Sequence, residues 1–170
     1  MSVPIFLPGL YDDSEATWQS AKEQAPFNAI LLYENARNFT SAVRYLNPKA
    51  LIIHRIYLDD IMNDILSEGY NGGVRAASMV YDDLADAFIG LNEPPCNMQE
   101  IERVAKFDAG FSDFMFQRGK IALIGGFASG RPEADALKRY FTVVATSKRH
   151  KVTNIAFHLH AYGPNMLLEP

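Results

Sequence analysis

The sequence has one cysteine, no Lys/Arg cluster that stands out as a track for phosphates, and no apolar run long enough to cross a membrane. The single thiol, Cys96, excludes a disulfide within the chain. With 16 basic against 20 acidic residues the formal charge is -4, and without a basic track nucleic acid is an unfavourable partner. The start, Met1-Ser2-Val3-Pro4, has neither the basic nor the apolar region of a signal peptide. These absences predict a cytoplasmic protein, or one exported by a route that it does not encode, with neither nucleic acid nor membrane as a partner.

The rest of the composition is that of an ordinary globular chain. Of its 170 residues, 48% are hydrophobic, 12% aromatic and 21% charged, which is enough for one core and predicts a single domain over 1–170. Short apolar runs predict strands at 3–7, 29–33, 50–58, 87–91, 121–125 and 154–162. Helical patterns separate them, at 15–24, 35–46, 59–84 in two pieces divided by Gly69–Gly73, 98–118 and 133–148. Six βα units predict a parallel sheet with right-handed crossovers.

The sequence is compatible with two arrangements of this sheet, a closed barrel and an open doubly wound sheet. A closed barrel needs eight units and typically about 250 residues, whereas a doubly wound open sheet can stop at five or six. Length alone favours the open sheet. In both architectures the loops after the strands build the site, so residues at the C-terminal ends of the strands are the candidates for function.

The fourth strand delivers Asn92 and Glu93 to such an end. The run Ala87–Leu91 is apolar on both faces, and Pro94 and Pro95 cannot continue its hydrogen-bond ladder. The chain must therefore turn where Glu93 appears. A glutamate there is either a catalytic carboxylate or the cap of the next helix, and residue type alone does not decide between the two.

Two short motifs resemble those of the retaining glycoside hydrolases of clan A, which are (β/α)8 barrels. Asn92-Glu93-Pro94 resembles the signature after their fourth strand, and His160-Ala161-Tyr162 resembles the His-x-Tyr on their sixth strand. The resemblance implies a TIM-barrel type fold with Glu93 as the general acid/base. It also implies that Asn92, His160 and Tyr162 bind the substrate.

The resemblance covers six of the eight units, since neither the seventh strand, which carries the nucleophile, nor the eighth has a counterpart. It implies an incomplete or truncated barrel that acts on a β-linked glycan by a retaining mechanism, or is inactive as truncated. The alternatives are a non-catalytic barrel fragment that binds a glycan or a partner, and an open α/β protein with a small-molecule site. Unpaired edge strands predict self-association or a complementing C-terminal segment as a partner.

Charged and polar residues inside two strands need their own explanation. Arg55 on the third strand either reaches the lumen, where it binds sugar hydroxyls or a catalytic carboxylate, or extends to the barrel rim. His54 points to the other face and is predicted to be a core histidine. His158 and His160 have a metal-ligand spacing, but no further ligands follow a recognised spacing, so neither a metal nor a cofactor is predicted. Six aromatic residues at helical spacing are predicted to lie in the core: Trp18, Tyr45, Phe107, Phe111, Phe114 and Tyr140.

Overall fold

A computed structural model describes residues 6–10, 12–23, 27–55, 57–128, 131–149 and 155–157, without the side chains of 6–8 and 157. The strands are β1 Phe6–Leu10, β2 Ala29–Tyr33, β3 Leu51–Arg55, β4 Ala87–Ile89, β5 Ile121–Ile124 and β6 Ile155–Phe157. The α-helices are α1 Glu15–Glu23, α2 Thr40–Leu46, α3 Met62–Ser67, α4 Tyr70–Val80, α5 Ile101–Gln117 and α6 Ala134–Ser147. Two 3₁₀ segments, Glu34–Phe39 and Asp59–Ile61, precede α2 and α3.

The six strands form one parallel sheet in the order β1-β2-β3-β4-β5-β6. This strictly sequential order decides between the two arrangements. A doubly wound sheet reverses direction at a switch point, whereas each strand of a TIM barrel pairs with the next one in the chain. The chain therefore has an α/β fold of the TIM-barrel type with six βα units. Within the described residues the sheet is not closed, so β1 and β6 are its edges.

The predicted division of 59–84 into two helical pieces is confirmed, but the break is shorter than the predicted 69–73. Helix α4 starts at Tyr70 and runs through Gly72 and Gly73, and only Gly69, at φ 55°, lies in the turn before it. Packing is the reason. A Cβ on Gly72 would lie 1.8 Å from the backbone oxygen of Ile65, and one on Gly73 would lie 1.9 Å from that of Phe107. The two glycines therefore let α4 approach α3 and α5 backbone to backbone.

The two faces of the sheet differ in how far they are covered. On the face toward the helices Ile30, Ile52 and Phe88 are fully buried. On the opposite face, which is the lumen side of a barrel, Ile53 is half-buried and Leu51 is exposed. Since strand partners in register share a face, this second face is a continuous, partly open apolar surface.

The N-terminal ends of β3 and β4 are held by polar contacts that are partly exposed to solvent. The guanidinium of Arg44 donates to the backbone oxygens of Ala50 at 2.9 Å and Leu84 at 2.8 Å and to the carboxylate of Asp86 at 2.7 Å. The same oxygen of Asp86 accepts the backbone N–H of Ile52 at 2.8 Å. These contacts fix where β3 and β4 start. In TIM barrels the N-terminal ends of the strands carry residues that stabilise the fold, and the active site lies at the C-terminal ends. The contacts of Arg44 follow this division.

His54 is a core residue on the helix-facing side, as predicted. Its Nε2 lies 2.9 Å from the hydroxyl of Thr40 on α2, and its ring contacts Phe88 edge-on. Burial lowers the pKa of His54 to about 4.

The six aromatic residues predicted to lie in the core separate into three groups. Phe107, Phe111 and Tyr140 are fully buried, while Trp18 and Phe114 pack against the core from its margin. The prediction is wrong for Tyr45, which is 87% exposed on α2. No helix in the described ranges is long and apolar enough to span a membrane.

Candidate functional site

The backbone at the end of β4 aims Asn92 and Glu93 out of the regular strand. The ladder continues one residue beyond β4, where the N–H of Gly90 donates to Leu123 O at 2.9 Å, and Leu91 is buried. Glu93 then takes a left-handed conformation, with φ 45°, and its side chain is exposed. In a regular strand Asn92 and Glu93 would point to opposite faces. The positive φ of Glu93 interrupts that alternation. The side chains of Asn92 and Glu93 therefore need not point to opposite faces at the C-terminal end of β4.

Asn92 is joined to the third strand by a side-chain hydrogen bond. Nη2 of Arg55 donates to Oδ1 of Asn92, and Arg55 is the register partner of Ile89, three residues before Asn92. The two predicted site residues are therefore in contact across the C-terminal ends of β3 and β4. The bond leaves the NH₂ group of Asn92 as a donor, which is suited to a sugar hydroxyl.

The guanidinium of Arg55 lies beside two tyrosine rings. Its carbon lies 5.4 Å from the ring centroid of Tyr33 and 5.5 Å from that of Tyr57, and the two rings stack at 6.1 Å. Tyr33 is buried and Tyr57 is 44% exposed. Nε of Arg55 is buried and has no hydrogen-bond partner among the described residues. Arg55 thus lies at the C-terminal ends of the strands beside two aromatic rings, and within the described residues it forms no ion pair. This environment favours the interpretation that it serves a site.

A cleft of about 260 Å³ opens beside Tyr57 at the same edge. Its polar lining residues are Glu34, Arg37, Tyr57 and Asp60, and Leu58, Ile61, Met79 and Val80 supply its apolar wall. An exposed aromatic ring together with carboxylates and a guanidinium is a combination that can hold a small polyhydroxylated ligand.

Below the surface, a buried pair lies under the loop that follows β5. The hydroxyl of Tyr140 on α6 donates to Oδ2 of Asp108 on α5 at 2.5 Å, and the N–H of Gly125 donates to the same oxygen at 3.3 Å. Burial raises the pKa of Asp108 to about 7, although both hydrogen bonds lower it. The next residue, Gly126, accepts the N–H of Glu93 at 2.8 Å.

The structure brings Arg55, Asn92 and Glu93 to one edge, whereas His160 and Tyr162 lie outside the described residues. No group of three or more histidines, cysteines, aspartates and glutamates in the described part is placed to hold a metal ion, and His158 is outside that part. Sequence reasoning missed Tyr33 and the Asp108–Tyr140 pair. An aspartate among the phenylalanines of one helix was the available signal for Asp108.

Comparison with known proteins identifies the fold and not the reaction. No protein-family model matches the sequence, and neither does any curated protein. The solved structure of an L-ribulose 3-epimerase superposes on this chain with a TM-score of 0.54 at 11% sequence identity. The alignment covers 93% of this chain and 60% of that chain. The fold is of the TIM-barrel type.

At this level of identity the likeness to the epimerase extends to the TIM-barrel fold alone. None of the comparisons supports membership of clan A of the glycoside hydrolases, which the two short motifs resemble. This chain spans 60% of the length of the epimerase chain.

Proposed function

We propose that this chain is a carbohydrate-active TIM-barrel domain that binds a β-linked glycan at the C-terminal ends of β3 and β4. In a complete barrel it would hydrolyse O-glycosidic bonds by a retaining mechanism. The observation that carries the proposal is the hydrogen bond from Arg55 to Asn92 immediately before Glu93. It joins the amide and the carboxylate of the Asn-Glu-Pro motif to a second strand at the edge where barrel enzymes keep their sites.

Each of these residues has a role in such a mechanism. The side-chain NH₂ of Asn92 donates to a sugar hydroxyl, and Arg55 fixes the orientation of that amide by occupying its oxygen. Glu93 protonates the glycosidic oxygen as the bond breaks, then takes a proton from the incoming water. Retention also needs a carboxylate nucleophile about 5–5.5 Å away. We assign the acid/base and the sugar-holding residues to this chain, and not the nucleophile.

The surroundings of the three residues support sugar as the ligand. The exposed ring of Tyr57 offers a flat apolar face of the kind on which a pyranose stacks, and the adjoining cleft of about 260 Å³ has room for a monosaccharide. The solved structure of similar fold is that of an L-ribulose 3-epimerase, an enzyme whose name says that it acts on a sugar. That likeness raises the expectation of a sugar ligand but does not select hydrolysis.

Binding is tested by titrating ¹⁵N-labelled protein with methyl and aryl β-glycosides and following the side-chain amide signals of Asn92. We expect those signals to move. Affinity should fall about tenfold in Asn92→Ala, the loss typical of one hydrogen bond. Asn63→Ala, which changes an exposed asparagine on α3, is the matched control and should bind as the wild type does.

The possible results separate the two parts of the proposal. If no β-glycoside perturbs the Asn92 amide, or if Asn63→Ala weakens binding as much as Asn92→Ala does, the glycan site is not here. Binding without hydrolysis, in a form with all eight units, would retain the glycan site and remove the acid/base role of Glu93. The chain would then be a non-catalytic glycan-binding barrel.

A further inference from the structure

We propose that Asp108 and Tyr140 are positioning residues, which hold the backbone of Glu93 in its working conformation through the turn Gly125–Phe127. The proposal rests on the proposed function in giving Glu93 a task. The connection itself is a matter of geometry, and it runs from α5 and α6 to the loop after β4.

The first contact anchors the turn from below. Oδ2 of Asp108 accepts both the hydroxyl of Tyr140 and the N–H of Gly125, and all three groups are buried. The ring of Tyr140 also packs edge-on against Phe127, with centroids 5.1 Å apart. Asp108 therefore holds the first residue of the turn by a hydrogen bond, and Tyr140 contacts the last residue of the turn through its ring.

The second contact passes from the turn to Glu93. The N–H of Phe127 donates to Gly125 O at 2.7 Å, which closes a tight three-residue turn with Gly126 at its centre. The oxygen of Gly126 accepts the N–H of Glu93 at 2.8 Å. Gly125 has φ 70°, a conformation that other residues rarely adopt, so the shape of the turn depends on a glycine held in place.

Glu93 needs such support because its own backbone is unfavourable. A φ of 45° is uncommon for an L-residue with a long side chain, and such residues persist where surrounding contacts determine them. The following Pro94 is buried and cannot donate a hydrogen bond, so the amide of Glu93 is the nearest point at which the backbone can be tied down on that side. The oxygen of Gly126 supplies that tie.

Burial of the Asp108 carboxyl group costs free energy, and a residue that only filled space would not require that cost. Asp108 is fully buried, and its Oδ1 has no hydrogen-bond partner in the part of the chain that the structure describes. A Cβ on Gly90 would lie 3.5 Å from that oxygen. A leucine would fill a similar volume without desolvating a carboxylate. Helix α5 also carries a second aspartate–tyrosine pair, in which the buried Asp113 accepts the hydroxyl of the half-buried Tyr70 at 2.8 Å.

This second pair provides a matched control for an experiment on backbone exchange. Native-state hydrogen exchange is measured at the amides of Glu93, Phe127 and Ile89 in Tyr140→Phe and in Tyr70→Phe. Each variant removes one hydroxyl from a buried carboxylate on α5. In Tyr140→Phe we expect exchange at Glu93 and Phe127 to become about tenfold faster, the factor for one lost hydrogen bond, with Ile89 unchanged. Tyr70→Phe should leave the Glu93 rate as in the wild type.

Two substitutions of Asp108 complete the set. Asp108→Asn keeps an acceptor for Gly125 and should preserve the slow exchange and the chemical shift of the Glu93 amide. Asp108→Leu removes the acceptor and should change both. If Asp108→Leu fails to fold, the comparison of Tyr140→Phe with Tyr70→Phe still decides. Equal effects of those two at Glu93, or no effect of Tyr140→Phe there, overturn the proposal.

Failure of the positioning role and failure of the glycan site are distinguishable. Faster Glu93 exchange in Tyr140→Phe, in a protein that binds no β-glycoside, supports the positioning and refutes the proposed function. Glycoside binding that moves the Asn92 signals, together with unchanged Glu93 exchange in Tyr140→Phe, supports the glycan site and refutes the positioning.

Discussion

At the scale of single residues, Glu93 combines an exposed carboxylate with a left-handed backbone. If it is the acid of a hydrolase, Glu93→Gln removes proton donation with little change of shape. In a form of the protein that turns over glycosides, kcat should fall by about 10²-fold or more for poor leaving groups and least for acidic phenols, whose departure needs little protonation. Glu34→Gln, which alters the carboxylate after β2, is the control and should show no such gradient. Equal losses across leaving groups in Glu93→Gln would exclude Glu93 as the acid.

Two buried titratable residues, His54 and Asp108, make folding stability depend on pH in opposite directions. The pKa of His54 is lowered to about 4, so folding loses stability as pH falls from about 6.5 to 4, where the unfolded state binds the extra proton. Thr40, Arg37, Asp82 and Asp86 are the groups that act on it. The pKa of Asp108 is raised to about 7, so folding loses stability as pH rises from 3.8 to 7, since the folded state there holds the extra proton.

These slopes, each about 1.4 kcal/mol per pH unit at most, nearly cancel between pH 4 and 6.5. Asp108→Asn should therefore make the protein lose stability more steeply than the wild type on acidification through that range. His54→Asn should make stability fall as pH rises. Urea titrations at several pH values check this, and parallel profiles for the wild type and both variants would contradict the two pKa shifts.

At the scale of elements, the periodic pattern predicts which segments form strands and helices but not where they end. The predicted strand at 50–58 is β3 Leu51–Arg55, since the chain leaves the sheet once no partner strand continues. The Asn-Glu-Pro turn was predictable because Pro94 and Pro95 forbid the ladder. The Arg55–Asn92 contact and the support of Glu93 by Gly126 were not, because both depend on which strands become neighbours.

The glycines of α4 show the same limit, and they make a prediction. Helix propensity alone says that Gly73→Ala should stabilise the helix by up to about 1 kcal/mol. Because the added methyl would lie 1.9 Å from Phe107 O, we expect instead a destabilisation of about 3 kcal/mol. Ser78→Ala, at an exposed position of α4, should stabilise slightly or change nothing. Urea denaturation measures both, and a Gly73→Ala variant as stable as the wild type would contradict the close helix contact.

At the scale of the whole molecule, the described sheet has two edge strands and a partly open apolar face. Open edges favour pairing between chains. The purified chain should self-associate at micromolar concentration, and a separate segment with two further βα units should reduce that association. Light scattering after size exclusion checks both points. A stable monomer that hydrolyses β-glycosides efficiently by itself would show that the incomplete barrel is the wrong description.

The central claim is that a β-linked glycan binds beside Asn92 and Glu93, and a crystal structure with a bound β-linked disaccharide tests it most directly. We expect a sugar hydroxyl within hydrogen-bond distance of the Asn92 side-chain NH₂, and the glycosidic oxygen facing the carboxylate of Glu93. Density for the sugar at the N-terminal edge near Arg44, or none at the ends of β3 and β4 at a saturating concentration, would contradict it.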